Sequence, residues 1–205
     1  MKLQITLLLV CGLYPSALSL KCYQCIPDLF GTCTNTQTVC PSQCGSSTTV
    51  VDVAGQKKEI SSKDCASAAE CVSGSLNLGI MKTTVNTQCC STDLCNSPNP
   101  RALPSKPPNG KQCYYCIDKD CSGTVDCLGD EDQCISLKAN AAGVQVKMKG
   151  CATRSICNAP TGSMQTAGVS GDLSCCSGNL CNGAEGVKIS FLFVLVPLLS
   201  SFLFL

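Results

Sequence analysis

The sequence predicts an all-β, disulfide-held fold written twice in tandem, and three observations predict it. Cysteine is the first: 21 of 205 residues, beside no histidine, no tryptophan and only 14% charged side chains. That is the composition of a secreted disulfide scaffold, not of a cytosolic enzyme. A repeated closure is the second, "CCSTDLCN" at Cys89 to Asn96 and "CCSGNLCN" at Cys175 to Asn182. The third is that strand-like runs and turn residues fill the space between cysteines, with no sustained helical stripe anywhere.

Residues 1–19 place Lys2 before a short apolar run and end in the small residues Ala17 and Ser19, which predicts a removed signal peptide. The run is short for a bilayer and Pro15 interrupts it, which argues against a retained membrane helix. Cys11 leaves with this segment, so twenty cysteines enter an oxidising compartment, and that even number predicts full pairing.

The first copy, 20–96, carries Cys22, Cys25, Cys33, Cys40, Cys44, Cys65, Cys71, Cys89, Cys90 and Cys95. The second, 112–182, carries Cys113, Cys116, Cys121, Cys127, Cys134, Cys151, Cys157, Cys175, Cys176 and Cys181. Both open on C-x-x-C, and from the sixth cysteine to the tenth the gaps are identical at five, seventeen, none and four residues. Such a register marks an internal repeat. Within the copies "STTVVDV" and "KKEISSK" flank a turn at Ala54-Gly55-Gln56, and "CISLKAN" and "VQVKMKG" flank one at Ala141-Ala142-Gly143, so each copy should hold a hairpin. Residues 97–111 between the copies contain five prolines and read as a linker.

Tyr23, Phe30, Tyr114 and Tyr115 are the only aromatics left between leader and tail, so neither copy can bury much of a core. A crosslink closing a loop of 15–20 residues contributes roughly 3 kcal/mol, and the bridges must therefore hold the fold. The chain's formal charge is +1, and without Lys2, Lys188 and Glu185 the basic and acidic side chains balance. No nucleic acid partner is expected from that balance.

Residues 183–205 end in the uncharged run Ile189 to Leu205, preceded by small residues from Asn182 to Ala184 and the polar spacer "EGVKIS". This order matches a glycolipid attachment signal whose tail is removed, with Asn182, the first small residue beyond the last cysteine, as the expected attachment site. The rival is a single membrane span, which Pro197 and the lack of a following basic flank disfavour.

Several chemistries find no footing. The Cys-x-x-Cys pairs at Cys22/Cys25 and Cys113/Cys116 could begin a zinc or redox site, but a secretory route with matched partners favours disulfides, and no metal or other cofactor is expected. Without histidine the usual general base is missing, and no G-x-S-x-G elbow occurs. Asp130-Glu131-Asp132 reads as a solvated loop, lacking the spaced ligands of a calcium loop. No N-x-S/T triplet is present.

The start "LKCYQC", the closure "CCSTDLCN" and the second "KQCYYC…CCSGNLCN" resemble the three-finger domains of the urokinase-receptor and lymphocyte-antigen family, which snake neurotoxins share. Spacing alone leaves the cysteine pairing open; the resemblance implies first with fifth, second with third, fourth with sixth, seventh with eighth and ninth with tenth in each copy. It also implies that Asn96 and Asn182 seal the palm from which three fingers project. The fold class expected is therefore two tandem three-finger, snake-toxin-like domains. The urokinase receptor has three such domains, the first lacking one bridge, whereas this chain has two complete ones, which argues against urokinase as ligand.

The function that follows is a glycolipid-anchored receptor or modulator on the outer leaflet of the plasma membrane, extracellular if shed, that binds a protein partner and catalyses nothing. Its expected contacts lie at finger ends: Leu29 and Phe30 in the first finger, and Leu78 and Ile80 in the third, where "SLNLGIM" alternates and half the side chains should pack inward. The alternatives are a secreted inhibitor like the paired-domain phospholipase inhibitors of snake plasma, which has no need of Ile189 to Leu205, and an adhesive or barrier coat protein.

Overall fold

The computed structural model describes residues 19–28, 31–117, 120–141, 144–159 and 170–183. The predicted leader up to residue 18 and the tail from 184 onward lie outside the described residues, as do Leu29, Phe30 and part of the second hairpin turn. Every longer element is a strand: β1 (Leu20–Gln24), β2 (Thr36–Cys40), β3 (Gln43–Val53), β4 (Gln56–Ala66), β5 (Gly74–Asn77), β6 (Met81–Cys90), β7 (Pro108–Ile117), β8 (Asp120–Leu128), β9 (Gln133–Ala141), β10 (Val144–Ala152) and β11 (Ser170–Ser177). Among the described residues, helical structure is limited to a 3-10 turn at Ala68–Glu70 and one turn at Arg154–Cys157.

The chain forms two compact units. Among the described residues, the first comprises those up to Val50, Glu59–Val72 and Val85–Ala102; the second comprises Val51–Lys58, Ser73–Thr84 and those from Leu103 onward. This division departs from the cysteine repeat, because two hairpin ends of the first copy, 51–58 and 73–84, belong to the second unit.

In the first unit β1 pairs antiparallel with β2, Cys22 opposite Thr38, while β3 runs between β4 and β6. Its core is a knot of Cys22, Cys40 and Cys44, all fully buried, against which Leu20, Cys65, Cys90 and Cys95 pack. Here the bridges are Cys22–Cys44, Cys25–Cys33, Cys40–Cys65, Cys71–Cys89 and Cys90–Cys95. With sulfur filling the centre, the crosslinks serve as core as well as staples.

In the second unit β7 pairs with β8, and β9 lies between β10 and β11. Its bridges follow the same order: Cys113–Cys134, Cys116–Cys121, Cys127–Cys151, Cys157–Cys175 and Cys176–Cys181. Cys113, Cys127, Cys134 and Cys151 make the matching knot. A second cluster has no counterpart among the described residues of the first unit: Leu78, Ile135 and Ala152, surrounded by Leu76, Met81, Met148, Ile156 and Leu173.

The closures explain why the chain writes its last cysteines the same way twice. In each, a leucine just before the final cysteine, Leu94 or Leu180, adopts a left-handed φ of 56°. The Leu94 N–H then donates to the Lys21 carbonyl (2.6 Å), and the Leu180 N–H to that of Gln112 (2.8 Å). One residue earlier, Asp93 Oδ1 accepts the Lys21 N–H (2.9 Å) and Asn179 Oδ1 accepts the Gln112 N–H (3.2 Å). The final asparagine completes the clamp. Asn96 accepts from the Tyr23 N–H and donates to the carbonyls of Tyr23 and Gly45, at 2.8–2.9 Å; Asn182 does the same with Tyr114 and Ile135. Each closing loop thus satisfies the edge of the opening strand, β1 or β7, as another strand would.

The proline-rich segment carries no strand from Ser97 to Pro107, but β7 begins at Pro108 and takes in the last four residues expected as linker, 108–111. Nor is the segment loose. Thr48 Oγ1 donates to the buried Pro100 carbonyl (2.7 Å) and Asn86 Nδ2 to that of Arg101 (2.8 Å), while Lys106 pairs with Asp130.

Candidate protein-binding surface

The sequence places the expected contacts at hairpin ends, so the geometry of those ends comes first. The end of the β3–β4 hairpin turns through Ala54 and Gly55, both at positive φ (52° and 87°), with Asp52 Oδ1 accepting the Gly55 N–H at 2.8 Å. The β5–β6 hairpin turns through Gly79 (φ 84°), where the Leu78 N–H bonds the Met81 carbonyl (2.8 Å). The Ala54 N–H donates to the Ile80 carbonyl (3.2 Å) and ties the two ends together.

Gly79 has a second reason to lack a side chain. A Cβ there would lie 2.4 Å from the Tyr115 ring, and one at Gly123 would lie 2.6 Å from the same ring. Tyr115 is thus slotted between two glycines, which holds the turn before Ile80 in place. Beside the tied ends, Val53 and Ile80 are exposed at 47% and 63%, and Ile117 is exposed on the strand that carries Tyr115. Lys57 and Lys58 follow Val53 on the exposed end of the hairpin.

The four expected contact residues therefore separate. Ile80 is exposed, and Leu29 and Phe30 lie outside the described residues. Leu78 is corrected: only 7% exposed, it packs with Ile135 and Ala152, and Leu76 and Met81 join it. The physical reason is β5, which pairs with β10 (Asn77 opposite Cys151, Leu76 opposite Ala152) and lays its apolar side chains on that sheet. Three of the four apolar residues in "SLNLGIM" pack inward, and Ile80 at the turn is left out.

The acidic run is corrected as well. Asp130 is solvated, but Glu131 is 2% exposed. Glu131 Oε1 accepts from Ser75 Oγ (2.8 Å) and Oε2 from the Leu128 N–H (2.7 Å). Burial pushes its pKa above the ordinary carboxylate value, outweighing the Leu128 and Ser75 hydrogen bonds and the charge of Lys82, which act the other way.

Asn182 is 6% exposed and spends its side chain on the clamp described above. Lys149 Nζ donates to the next carbonyl, Gly183 (2.6 Å), while lying 5.9 Å from the centre of the Tyr114 ring. Lys63 repeats the arrangement in the first unit, bonded to the Ser97 carbonyl and 5.8 Å from the Tyr23 ring centre. Reading the residue types alone misses these lysines. Their position, two before the sixth cysteine in both copies, was the available signal.

Among the described residues the sulfurs of Cys113, Cys127 and Cys151 come within 4.8 Å of one another, but each is already in a disulfide, which leaves no thiolate to hold a metal. No described helix is long and apolar enough to cross a membrane.

The u-PAR/Ly-6 domain model matches residues 18–98 and again 109–184. This chain belongs to the u-PAR/Ly-6 family. Its two matches are the two three-finger domains, and the family consists of non-enzymatic receptors and binding proteins. The chain is 33% identical over 162 residues to the urokinase plasminogen activator surface receptor of Rattus norvegicus, covering 70% of this chain and 48% of the receptor. The same receptor from Mus musculus is 30% identical over 145 residues, with coverages of 63% and 42%. That of Bos taurus is 31% identical over 104 residues, with coverages of 46% and 32%. The chain therefore spans less than half the length of these relatives.

Proposed function

We propose that this protein is a cell-surface receptor or modulator that binds a protein partner through the tied hairpin ends around Val53 and Ile80. One observation carries the reading: two apolar side chains stand exposed on turns fixed by the Ala54–Ile80 hydrogen bond. A preformed contact loses little conformational entropy on docking, and the disulfides beneath it limit rearrangement. The relatives are named as surface receptors for a protein, which supports the same class of ligand here.

A glycolipid anchor remains part of the reading, with its attachment moved. Asn182 would have to leave three hydrogen bonds to enter a transamidase site, so attachment belongs at Gly183 or the small residues after it. Phosphatidylinositol-specific phospholipase C should release the protein from cells, and the mature C-terminal peptide should retain Asn182 and end beyond it. Binding is tested by placing a photo-crosslinking residue at position 80 or position 26 on intact cells. A discrete crosslinked protein from position 80 alone supports the reading, whereas equal yields from both exposed positions contradict it.

A further inference from the structure

Residues 73–84 belong to the first copy by sequence and to the second unit by packing, and three glycines show how closely they fit there. A Cβ on Gly150 would lie 2.1 Å from the Asn77 carbonyl oxygen, one on Gly74 would lie 2.2 Å from Thr153 Oγ1, and Gly79 abuts Tyr115. Hydrogen bonds complete the seat: the Thr153 N–H donates to the Ser75 carbonyl (3.0 Å) and the Asn77 side-chain Nδ2 to that of Asp126 (3.1 Å). Ser155 Oγ donates to the Ser73 carbonyl at 2.7 Å.

At this seat lies the one carboxylate of the described residues that is almost wholly buried, and the finger supplies part of its surroundings. Ser75 bonds Glu131 directly, and Asn77 and Lys82 act on it from the same hairpin. From β8 it meets the Leu128 amide, while the Asp126 carboxylate is bonded by Gln112 Nε2 (2.9 Å). On its own turn, Asp130 pairs with Lys106, and Asp132 with Arg154 (2.6 Å). Lys111 Nζ reaches the Asp132 carbonyl (3.3 Å), and Asn109 Nδ2 the carbonyl of Glu131 itself. The neighbouring cations are thus mostly engaged elsewhere, and Lys82 is the cation that acts on Glu131.

We propose that residues 73–84 are a proton-dependent latch, seated on β10 and the Leu128–Glu131 turn and held more firmly when Glu131 carries a proton. A protonated Glu131 keeps its hydrogen-bonding surroundings without a buried charge; an ionised one holds that charge against the finger. The sign follows from the direction of the shift. The folded-state pKa is raised above the ordinary 4.5, so the stabilisation is complete below about that ordinary value and is lost as pH rises through the folded-state value. Because the latch carries Ile80, mild acid would hold the proposed contact surface more rigidly. The latch itself does not depend on any partner.

The test is amide hydrogen exchange on the disulfide-intact protein from pH 4.5 to 8, corrected for intrinsic rates and read at the Thr153 amide, whose acceptor is Ser75. The expected result is protection that grows as pH falls, by up to about tenfold per pH unit within the titration window. Glu131→Gln, neutral at every pH, should be flat across the range. Lys82→Ala, an exposed change that removes the cation facing Glu131, should move the midpoint to higher pH. Flat protection in the natural protein overturns the proposal, as does an unchanged midpoint in Lys82→Ala or the same rise in a folded Glu131→Gln.

Discussion

Asn182 shows at the scale of one residue how a repeated letter becomes structure. Its amide makes three hydrogen bonds in a nearly water-free site, and leaving buried backbone groups unsatisfied costs about 1–3 kcal/mol each. Asn182→Ala should therefore destabilise the second unit by roughly 2–4 kcal/mol, and Asn96→Ala the first to a similar degree, measured by denaturant unfolding with the bridges intact. Both asparagines are legible in the sequence because the two closures line up residue for residue. Glu131 was not, because its partner Ser75 lies 56 positions away, and an acidic triplet reads as solvated until something covers it. Gly150 is hidden for the same reason, since only the approach of Asn77 explains it. Gly150→Ala should loosen β5 from β10, cutting protection of the Thr153 amide while leaving the cysteine knots folded. Unaltered protection would mean that the close contact is relieved elsewhere.

Among the elements, hairpins were readable where composition alternates between turns and β-branched runs, as at "STTVVDV" and "KKEISSK". Which face of "SLNLGIM" turns inward was not, since alternation identifies two faces without saying which one meets a sheet. The pairing of β5 with β10 decides that, and it leaves Ile80 exposed. Replacing exposed side chains barely touches the folded state, so Val53→Asp and Ile80→Asp should change stability by no more than about 0.5 kcal/mol. The linker is a different case. Its prolines announce irregular backbone, but the bonds from Thr48 and Asn86 that pin it come from distant strands. Limited trypsin should still cut first there, after Arg101 and not after Lys106, which precedes Pro107. A first cut inside a hairpin would contradict this ordering.

The whole molecule inherits its order from twenty cysteines, ten to each copy in the same order, which supply the buried knot of each unit. This covalent framework is why the fold class is legible in a chain with so little apolar bulk. The packing of residues 73–84 into the second unit is not, because it depends on surface fit and not on a cysteine register. The central claim is that the tied ends around Val53 and Ile80 are what the framework presents to a protein partner. Proximity labelling on intact cells, comparing the natural protein with Val53→Asp/Ile80→Asp at equal surface amounts, tests it most directly. The account predicts a specific set of labelled extracellular proteins that falls to background in the double variant. An identical labelling profile from both would contradict it.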